Sequence, residues 1–542
     1  MHHEAGQRYQ ASVPAHERRA GGVYYTPADV ARGLVRVAVD GLDLRPPRRP
    51  TVCDPACGAG ALLLAAAEQL EAAGHDRVAI VEDLIWGADI DAAAVTVARR
   101  SLAAWAAERG VPAIARHVVR ADSLRSEGPW PTPPVGGFDV VVGNPPFQSQ
   151  LAVPTTRDAA GVESARLRFG AVAAPYADSA TLFLVLGCAL AAAGGRVAMI
   201  QPESMLSARD AGPARRAIGG QASLMGLWWA GEPVFDAGVR VCAPVLELDG
   251  GAARPGAAGG AGGAVRRWTG RGFVPVVGAD PGRASIGEAW SLLLGAFHGT
   301  PAVDLGDGAT LAQIATASAG FRDEYYGVVP HVGEAPAEAA DGVVRLVTSG
   351  LVDPLRCRWG ATPTRFARTR WTAPVVDLAG LRRTTPRLAA WADQRLVPKV
   401  VLAGQTRVLE AAVDVDGCWW PSVPTIAVVP TTPGPADLWA VAAVLAAPAA
   451  TAWALGRFGG SALSSDAVKL SAGQVLGLPL PTDGEAWSAG AAAAEAAHEA
   501  AAQGDPAGWE VGLAQLSEAM GDAYGVGPGV ADWWSARLPG WR

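Results

Sequence analysis

The chain has 542 residues, of which 50% are hydrophobic and 18% charged, so it can build large buried cores and is not globally disordered. This length predicts roughly two to four domains. The net charge of −7 excludes a uniformly basic protein, but residues 482–542 hold nine acidic residues and two arginines, whereas residues 356–407 hold ten arginines, one lysine and two aspartates. That basic stretch is either a phosphate-facing surface or a consequence of a composition with only two lysines.

The cysteines and the N-terminal residues predict a cytoplasmic protein. The six cysteines form no CxxC pair, which favours reduced thiols over a disulfide framework or a zinc site. The first 20 residues lack the apolar run of a secretory signal. Two uncharged runs, 179–195 and 438–456, are predicted as buried helices because glycine or proline interrupts them and alanine dominates the second. We therefore expect a soluble protein with no membrane partner.

Residues 23–205 alternate strand-like apolar runs with alanine-rich helical runs. The strand-like runs are 51–53, 78–88, 138–142 and 195–200, and the helical runs are 28–40, 60–73, 91–108 and 178–193. This alternation is typical of a doubly wound α/β sheet. Two more strand-like stretches lie between residues 224 and 248, and residues 250–264 are almost entirely glycine and alanine, as in a linker.

The predicted domain boundaries follow these changes in composition. They are an α/β domain over 1–250, a glycine- and alanine-rich linker with a connecting segment over 251–299, a mixed α+β domain over 300–481, and an acidic, alanine-rich C-terminal tail over 482–542. The third segment is rich in proline, tryptophan and arginine and shows no α/β alternation.

Three acidic residues stand at or just after the ends of predicted strands. Asp54 precedes a glycine-rich turn in TVCDPACGAGALLLAA, where Gly58 and Gly60 let the backbone approach a ligand. Tight turns also need glycine for steric reasons alone, so this loop is a weak indication by itself. Asp89 ends a second strand, where a carboxylate can accept hydrogen bonds from a ribose diol, and Asp122 follows a third apolar stretch. Together they predict an adenosine site at the carboxyl edge of a parallel sheet.

The next predicted strand ends in an unusual way. FDVVVGNPPFQ, residues 138–148, runs from a hydrophobic strand into Asn144-Pro145-Pro146-Phe147. Two consecutive prolines neither continue a sheet ladder nor form a helix interior. This pattern indicates that the four residues serve something other than regular secondary structure.

The sequences YYTP (24–27), DPACGAG (54–60), GADID (87–91), ADSL (121–124) and NPPF (144–147), in this order, resemble the amino-methylating DNA methyltransferases of the gamma (TaqI-like) class, which are adenine-specific. The resemblance continues through residues 176–206, 231–248 and 456–481, and thus covers most of the chain before the tail. Ala59 stands where serine is commoner in the family, and Phe147 where tyrosine is commoner.

The resemblance implies a Rossmann-like class I methyltransferase domain with a mixed, mostly parallel sheet, followed by a mixed α+β target recognition domain. It implies S-adenosyl-L-methionine as the methyl donor and double-stranded DNA as the substrate, with no metal site expected. The residues that it assigns to the cofactor are Tyr25, Thr26, Pro27, Asp54, Pro55, Ala56, Cys57, Gly58, Gly60, Asp89, Ile90, Asp122, Ser123 and Asn144.

The same resemblance gives the NPPF sequence a chemical role. The exocyclic amine of adenine is a poor nucleophile because its lone pair is conjugated into the ring. The Asn144 side-chain oxygen and the Pro145 carbonyl would accept its two N–H groups, while Pro146 brings no competing donor. Phe147 would stack on the base after it leaves the duplex, and Phe235 is a candidate second aromatic contact. Phe235 is equally well explained as an ordinary core residue.

The basic stretch supplies the candidate DNA contacts, which are Arg358, Arg365, Arg368, Arg370 and Arg407. Neither lysine stands in a nuclease or phosphate-loop motif, so a restriction or defence activity would require a separately encoded subunit. The alternatives are a methyltransferase acting on RNA or on a protein glutamine, and a non-catalytic DNA-binding specificity module. Methyltransferases of RNA or protein glutamine usually lack YYTP and a large second domain, and a vestigial module has no need of intact Asp54, Asp89 and Asn144.

Overall fold

The computed structural model describes residue 9 and residues 25–107, 112–125, 129–130, 132–147, 159–173, 178–235, 239–250, 264–276, 290–319, 325–336, 342–432, 434–459 and 466–540. The chain divides into two compact units, residues 1–293 and 294–542. The finer boundaries predicted at residues 250, 299 and 481 remain predictions, and most of the glycine- and alanine-rich run lies outside the described residues.

The first unit is a large mixed sheet with helices packed on it. Its strands are β1 (Val52–Asp54), β2 (Ile85–Asp89), β3 (Val118–Arg120), β4 (Phe138–Gly143), β5 (Ala191–Met199), β6 (Gln201–Pro202), β7 (Ala222–Trp229), β8 (Val241–Leu248), β9 (Arg266–Thr269) and β10 (Val274–Pro275). Its principal helices are α1 (Ala28–Val39), α2 (Ala61–Ala72), α3 (Ala92–Ala107), α4 (Ala159–Phe169), α5 (Ser179–Leu190) and α6 (Gly212–Gly219), and the helix α7 (Leu292–Phe297) spans the boundary between the units.

The sheet order is β10-β9-β7-β8-β5-β4-β1-β2-β3, with β6 paired to β8. The block β5-β4-β1-β2-β3 is parallel throughout, and β8 joins β5 in the antiparallel direction. Helix α2 packs on β1 and β2, and α1 packs on β4 and β5. Side chains from all of these elements, such as Leu34, Leu63 and Val140, are fully buried in one core. The α/β fold with a mostly parallel sheet is therefore confirmed.

One predicted strand is only partly a strand. Residues 78–88 are an apolar run, yet residues 77–79 form a helical turn, Ile80–Leu84 form a π-helix, and β2 begins only at Ile85. The Asp76 carboxylate accepts a hydrogen bond from the Val78 N–H at 3.1 Å and so starts the helical segment. Short buried apolar runs show no periodicity that separates helix from strand, and this one contains both.

The second unit combines two small sheets with a helical layer. Its strands are β11 (Ala315–Ala319), β12 (Val332–Glu334), β13 (Val343–Val347), β14 (Val352–Asp353), β15 (Arg356–Cys357), β16 (Thr364–Phe366), β17 (Thr369–Trp371), β18 (Pro374–Asp377), β19 (Lys399–Ala403), β20 (Gln405–Thr406), β21 (Ala411–Asp414), β22 (Trp419–Pro421), β23 (Thr425–Pro430) and β24 (Val468–Lys469). They form the sheets β11-β23-β19-β21 and β12-β18-β13-β22, with the two-stranded pairs β14-β15, β16-β17 and β20-β24.

The helices of the second unit are α8 (Tyr325–Val328), α9 (Leu378–Thr384), α10 (Pro386–Asp393), α11 (Pro435–Ala446), α12 (Pro448–Phe458), α13 (Ala472–Leu476), α14 (Gly484–Ala502), α15 (Pro506–Tyr524) and α16 (Pro528–Ser535). The predicted tail thus consists of three helices, and α14 and α15 pack against each other. Their apolar residues, including Leu513, Leu516 and Trp534, share one core with α11, α12 and the first sheet of this unit. The acidic residues that suggested a tail occupy the outer faces of packed helices.

Within the described residues no single helix is both long and apolar enough to cross a membrane, and one bent pair, Ala436–Ala446 with Pro448–Phe458, satisfies these two criteria together. Both helices contribute buried side chains to the core of the second unit.

Candidate active site

The predicted site residues of the first unit converge on one edge of the sheet because they follow adjacent parallel strands. β1 lies between β4 and β2, with Cys53 paired to Val141 and Asp54 paired to Gly87. The Asp54 Oδ1 atom lies 3.5 Å from the position that a Cβ atom would take on Gly143. The carboxylate of the glycine-rich loop is therefore beside the residue that precedes Asn144.

The glycine-rich loop after β1 is held on the end of β2. The Gly58 N–H donates to the Asp89 Oδ2 atom at 2.8 Å, and the Cys57 N–H donates to the Ala88 carbonyl at 2.9 Å. Gly60 has a φ of 86° and caps α2, and a Cβ atom there would stand 3.0 Å from the Cβ of Ala98. The turn therefore needs glycine for its backbone conformation and for the close approach of α3.

The other predicted adenosine contacts line the same edge. The second Asp89 oxygen accepts the Asp91 N–H at 2.9 Å, and the neighbouring Ile90 is 67% exposed, which is unusual for an isoleucine at the end of a central strand. Asp122 accepts the Leu124 N–H at 3.0 Å, and the Ser123 hydroxyl donates to the Pro55 carbonyl at 2.6 Å. Ser123 thus ties the loop after β3 to the loop after β1.

Asp54 is 1% exposed, and this burial determines the pKa of its carboxyl group. Burial raises the pKa of Asp54 to about 8; the nearby Asp89 carboxylate acts in the same direction, while a hydrogen bond from the Ala56 N–H opposes both. Burial likewise raises the pKa of Asp89. A positively charged ligand would favour the ionised carboxylates. Acceptors at two strand ends and a glycine cradle fit a cationic adenosine compound such as S-adenosylmethionine.

The YYTP sequence reaches the NPPF sequence directly. The Asn144 Nδ2 atom donates a hydrogen bond to the Thr26 hydroxyl at 3.0 Å, and Thr26 is buried. Tyr25 packs against the core, and burial raises its pKa to about 12. Pro27 is the N-cap residue of α1, without a side-chain capping bond, and Tyr24 lies outside the described residues.

The remaining NPPF residues contact α5 and the segment after β7. The Ser179 hydroxyl donates to the Pro146 carbonyl at 2.6 Å. The Phe147 and Phe235 rings meet edge to face, with centroids 6.2 Å apart and an interplanar angle of 62°. Phe235 is 8% exposed, so it is a core residue that also contacts the predicted base-stacking ring.

Sequence reasoning did not single out three residues that contact this edge. Ser179 bonds the NPPF loop, the Arg168 guanidinium donates to the Ser123 carbonyl at 2.7 Å, and the Tyr9 hydroxyl donates to Asp91. An aspartate followed by serine at the start of an apolar run is a helix-start pattern, which explains the position of Ser179 but not its contact. The other two contacts join residues more than 40 positions apart, and no local pattern indicates them.

Comparison with known proteins bears directly on these motifs. Residues 10–227 match the family model of the N-6 DNA methylases. A segment of 131 residues is 34% identical to the methylase subunit of the type I restriction enzyme MjaIX of Methanocaldococcus jannaschii. The aligned segment is 24% of this chain and 20% of that relative, so the chain matches only about a fifth of the relative's length.

The family match covers about two fifths of the chain, and that part is similar to the N-6 DNA methylases. Solved structures add a likeness of fold. The type IIL restriction-modification enzyme MmeI in complex with DNA aligns over 98% of this chain and 81% of its own, with 13% identity and a TM-score of 0.59. A DrdV–DNA complex aligns over 92% of this chain and 59% of its own, with 12% identity and a TM-score of 0.51. The family match lies within the first unit, whereas the structural likeness extends over both.

In the second unit, the predicted DNA-contacting arginines fall into two groups. Arg358 lies 3.0 Å from Asp353, and Arg407 lies 2.7 Å from Asp466, so both have acidic partners. Arg365, Arg368 and Arg370 are exposed on the β16-β17 hairpin. Of the described acidic residues, none forms an ion pair with these three, including those after Thr482.

Part of the basic stretch is internal to the second unit. Arg356 pairs with Asp353 in the interior and lies over the Trp509 ring at 4.8 Å. Lys399 is fully buried and bonds Asp414 at 2.5 Å. Seven of the eleven basic residues of the stretch are exposed, and three of these lie on the β16-β17 hairpin, so a phosphate-facing surface over residues 356–407 remains a prediction.

Proposed function

We propose that this protein transfers a methyl group from S-adenosylmethionine to the N6 amine of adenine in double-stranded DNA, within a restriction-modification or phage-defence system in the cytoplasm. The observation that carries the proposal is the juxtaposition of the NPPF turn with the Asp54-Asp89 edge on adjacent strands. The match to the N-6 DNA methylase family supports it. The relatives named as restriction enzymes or methylase subunits support the biological setting, and a separately encoded restriction subunit is a candidate partner.

Different residues would bind the cofactor, bind the adenine amine and stack on the base. Asp54, Asp89, Asp122 and the loop around Gly58 would hold the cofactor, which supplies an already activated methyl group when bound. The Asn144 side-chain oxygen and the Pro145 carbonyl would accept the two N–H groups of the adenine amine and release its lone pair from the ring. Phe147 would stack on the extruded base. Catalysis is then mainly alignment of the amine with the methyl group.

The arrangement of Asn144 supports its role as an acceptor. A planar amide carries its nitrogen and oxygen on two diverging branches, and the nitrogen branch of Asn144 is directed to Thr26. The oxygen branch therefore points elsewhere, as the proposal requires. Asn144 and Pro145 each precede a proline, which restricts their backbone to extended conformations and presents the Pro145 carbonyl in a fixed direction.

The β16-β17 hairpin is the best-supported DNA contact in the second unit. Arg365 and Arg370 are direct cross-strand partners, an arrangement that destabilises a hairpin unless an anion lies between or above the charges. Arg368 occupies the tip with a φ of 67°, after Ala367 with a φ of 50°. A two-stranded ribbon fits the major groove of DNA, and arginine is the side chain most often used to contact guanine or phosphate there.

Expression of this chain alone in a host without adenine methylation tests the proposal. Sequencing of modified bases should reveal N6-methyladenine within one motif, and Asn144→Ala should abolish it. The purified Asn144→Ala protein should keep its affinity for S-adenosylmethionine within about threefold, because the proposed role of Asn144 at the target amine outweighs the cofactor contact that the resemblance implies, so the loss falls on kcat. Asp89→Ala is the matched contrast and should weaken cofactor binding first. Unmethylated DNA from the strain that expresses the wild-type protein, or methylation of RNA or a protein instead, would contradict the proposal.

A further inference from the structure

Two buried hydroxyl groups contact the NPPF turn from different parts of the chain. Thr26, before α1, accepts the Asn144 amide N–H at 3.0 Å, and Ser179, at the start of α5, donates to the Pro146 carbonyl at 2.6 Å. Their exposed fractions are 6% and 2%. The contacts join residues 118 and 33 positions apart, so they depend on the folded sheet and not on local sequence.

We propose that Thr26 and Ser179 are positioning residues of the NPPF turn: Thr26 selects the direction of the Asn144 oxygen, and Ser179 holds the Pro146 carbonyl, one residue after the Pro145 acceptor. The inference rests on the proposed function. It assigns Thr26 a second role beside the cofactor contact that the family resemblance implies, and it assigns Ser179 a role that its sequence pattern does not give.

The torsions of the turn show why two such contacts are needed. The rings of Pro145 and Pro146 fix their own φ angles, and each proline restricts the ψ of the residue before it, which covers Asn144 and Pro145. Phe147 follows Pro146, so the ψ of Pro146 is not restricted in this way. The Ser179 hydrogen bond orients the peptide plane after Pro146 and so restrains the remaining soft torsion of the turn.

The Asn144 side chain also has a torsion that the prolines do not restrict. The terminal torsion of an asparagine has broad minima, so its oxygen and nitrogen can exchange places at little cost. The Thr26 oxygen accepts an N–H from Asn144, which selects the orientation that directs the Asn144 oxygen away from Thr26. A valine at residue 26 would fill the same space without providing this acceptor.

Both hydroxyl groups are themselves held by rigid elements. Asp178 is the N-cap of α5 and accepts the Ala180 N–H at 2.9 Å, while the Ala180 carbonyl accepts the Gln201 amide at 2.9 Å. α5 packs on both β4 and β5, and α1 packs on the same two strands. Thr26 and Ser179 are therefore anchored to the strand that carries the NPPF turn, so their positions follow the sheet and not a loop.

The experiment compares four variants of the full chain with the wild type: Thr26→Val, Thr26→Ser, Ser179→Ala and Ser101→Ala. Ser101 is 5% exposed, and its hydroxyl makes no hydrogen bond among the described residues, so Ser101→Ala controls for the loss of a buried hydroxyl. Single-turnover methylation is measured at saturating cofactor on unmethylated DNA that contains the motif found above. Cofactor affinity is measured by titration without DNA, and thermal unfolding is recorded for each variant.

Thr26→Val and Ser179→Ala should lower the methylation rate roughly tenfold to hundredfold, the effect expected when a reacting group is misaligned by a fraction of an ångström to an ångström. Thr26→Ser should restore most of the rate, and Ser101→Ala should not change it. Thermal midpoints should be similar for all variants, and the cofactor affinity of Ser179→Ala should match the wild type.

A rate at saturating cofactor within twofold of the wild type would overturn the assignment for the residue concerned. For Thr26→Val, a loss confined to cofactor affinity would identify Thr26 as a cofactor contact alone. For Ser179→Ala, a fall in rate matched by equal losses of cofactor affinity and thermal stability would indicate a merely structural hydroxyl. Failure of the proposed function is distinguishable, because the wild type itself would then methylate no DNA.

Discussion

Asp54 illustrates how a single buried carboxylate can link ligand, pH and stability. It lies at the end of β1 with 1% exposure, next to the Asp89 carboxylate, and no basic residue is among the groups that set its pKa. In the absence of a cation the folded protein favours the protonated form. Without a positively charged ligand, the ionised Asp54 carboxylate therefore lacks a compensating charge, which is consistent with a sulfonium cofactor.

This arrangement predicts a pH-dependent stability. The folded-state pKa of Asp54 is raised to about 8 from an ordinary value of 3.8, so the folded state holds a proton that the unfolded state has released between these limits. Stability should fall as pH rises through this window, by up to about 1.4 kcal/mol per pH unit. Asp54→Asn removes the titration while keeping the shape of the side chain.

Denaturant unfolding without cofactor, from pH 5.5 to pH 8.5, measures the effect. The difference in stability between Asp54→Asn and the wild type should grow in favour of the variant as pH rises. Parallel curves for the two proteins would contradict a raised pKa of Asp54. Asp139→Asn is a suitable control, because the Asp139 side chain is 31% exposed, accepts the Thr51 N–H and lies on the same sheet.

At the scale of single residues, the sequence identified the chemical groups but not their contacts. Asp54, Asp89, Asp122 and the NPPF residues stand out because three carboxylates and two consecutive prolines follow the ends of successive strand-like runs. The pairing of Thr26 with Asn144 joins two motifs whose separate patterns give no distance between them. Such contacts depend on which strands become neighbours, and that is a property of the whole sheet.

Among the elements, the β16-β17 hairpin combines features that work against its own stability. Two like charges face each other across its strands, and two non-glycine residues at its tip, Ala367 and Arg368, have positive φ angles. Each positive φ of this kind costs about 1–3 kcal/mol. Retention of unfavourable features on an exposed element suggests a functional use, and an anionic partner would relieve the charge repulsion.

Replacing Arg365, Arg368 and Arg370 together by glutamine should weaken DNA binding and reduce the salt dependence. If each arginine neutralises one phosphate, the slope of log K against log salt should fall by roughly two to three units. An arginine that reads a base would instead relax the methylated motif at one position. Thermal stability should stay the same or rise slightly, since the cross-strand repulsion is removed.

The matched control replaces Arg382, Arg383 and Arg387 by glutamine, which removes the same charge from exposed positions on and beside α9 and α10. Binding isotherms at several salt concentrations should separate the two triple variants. Equal slopes for the hairpin variant and the wild type would show that the hairpin is not the DNA-contacting element.

The elements differ in how far sequence patterns could predict them. The four helical runs of residues 28–193 were found within a few residues, because long alanine-rich segments are bounded by glycine or proline. The segment before β2 was assigned to a strand although it is helical, since a short, mostly apolar run of this kind carries no clear period. The three-residue strand β3 was inferred only from the apolar stretch before Asp122.

At the scale of the molecule, the C-terminal residues are part of the second unit and not an appendage. Trp509 of α15 is 2% exposed, and its indole N–H donates to the Pro354 carbonyl at 2.9 Å. Its ring also stacks under the Arg356 guanidinium. A chain that ends near Pro481 would expose this core, so a truncation there would test folding before it tests DNA binding.

Trp509→Ala should therefore destabilise the protein by about 3–5 kcal/mol, through the lost packing volume and the unsatisfied Pro354 carbonyl. Val511→Ala is the control, because Val511 lies on the same helix and is 55% exposed. Chemical unfolding followed by fluorescence and by circular dichroism measures both variants. Similar midpoints for Trp509→Ala and Val511→Ala would mean that α15 adds little to the second unit.

The register of β4 has a consequence for which sequence changes the protein can tolerate. Cys53 pairs with Val141, and Gly143 pairs with Met199, so the strand register determines the position of Asn144, which follows β4. One inserted or deleted residue between Val140 and Gly143, where the pairing is regular, would shift the NPPF turn by about 3.3 Å and exchange the two faces of the strand. Length variation among natural or engineered variants should therefore be absent from this strand and accumulate elsewhere, for example in the glycine- and alanine-rich run of residues 250–264.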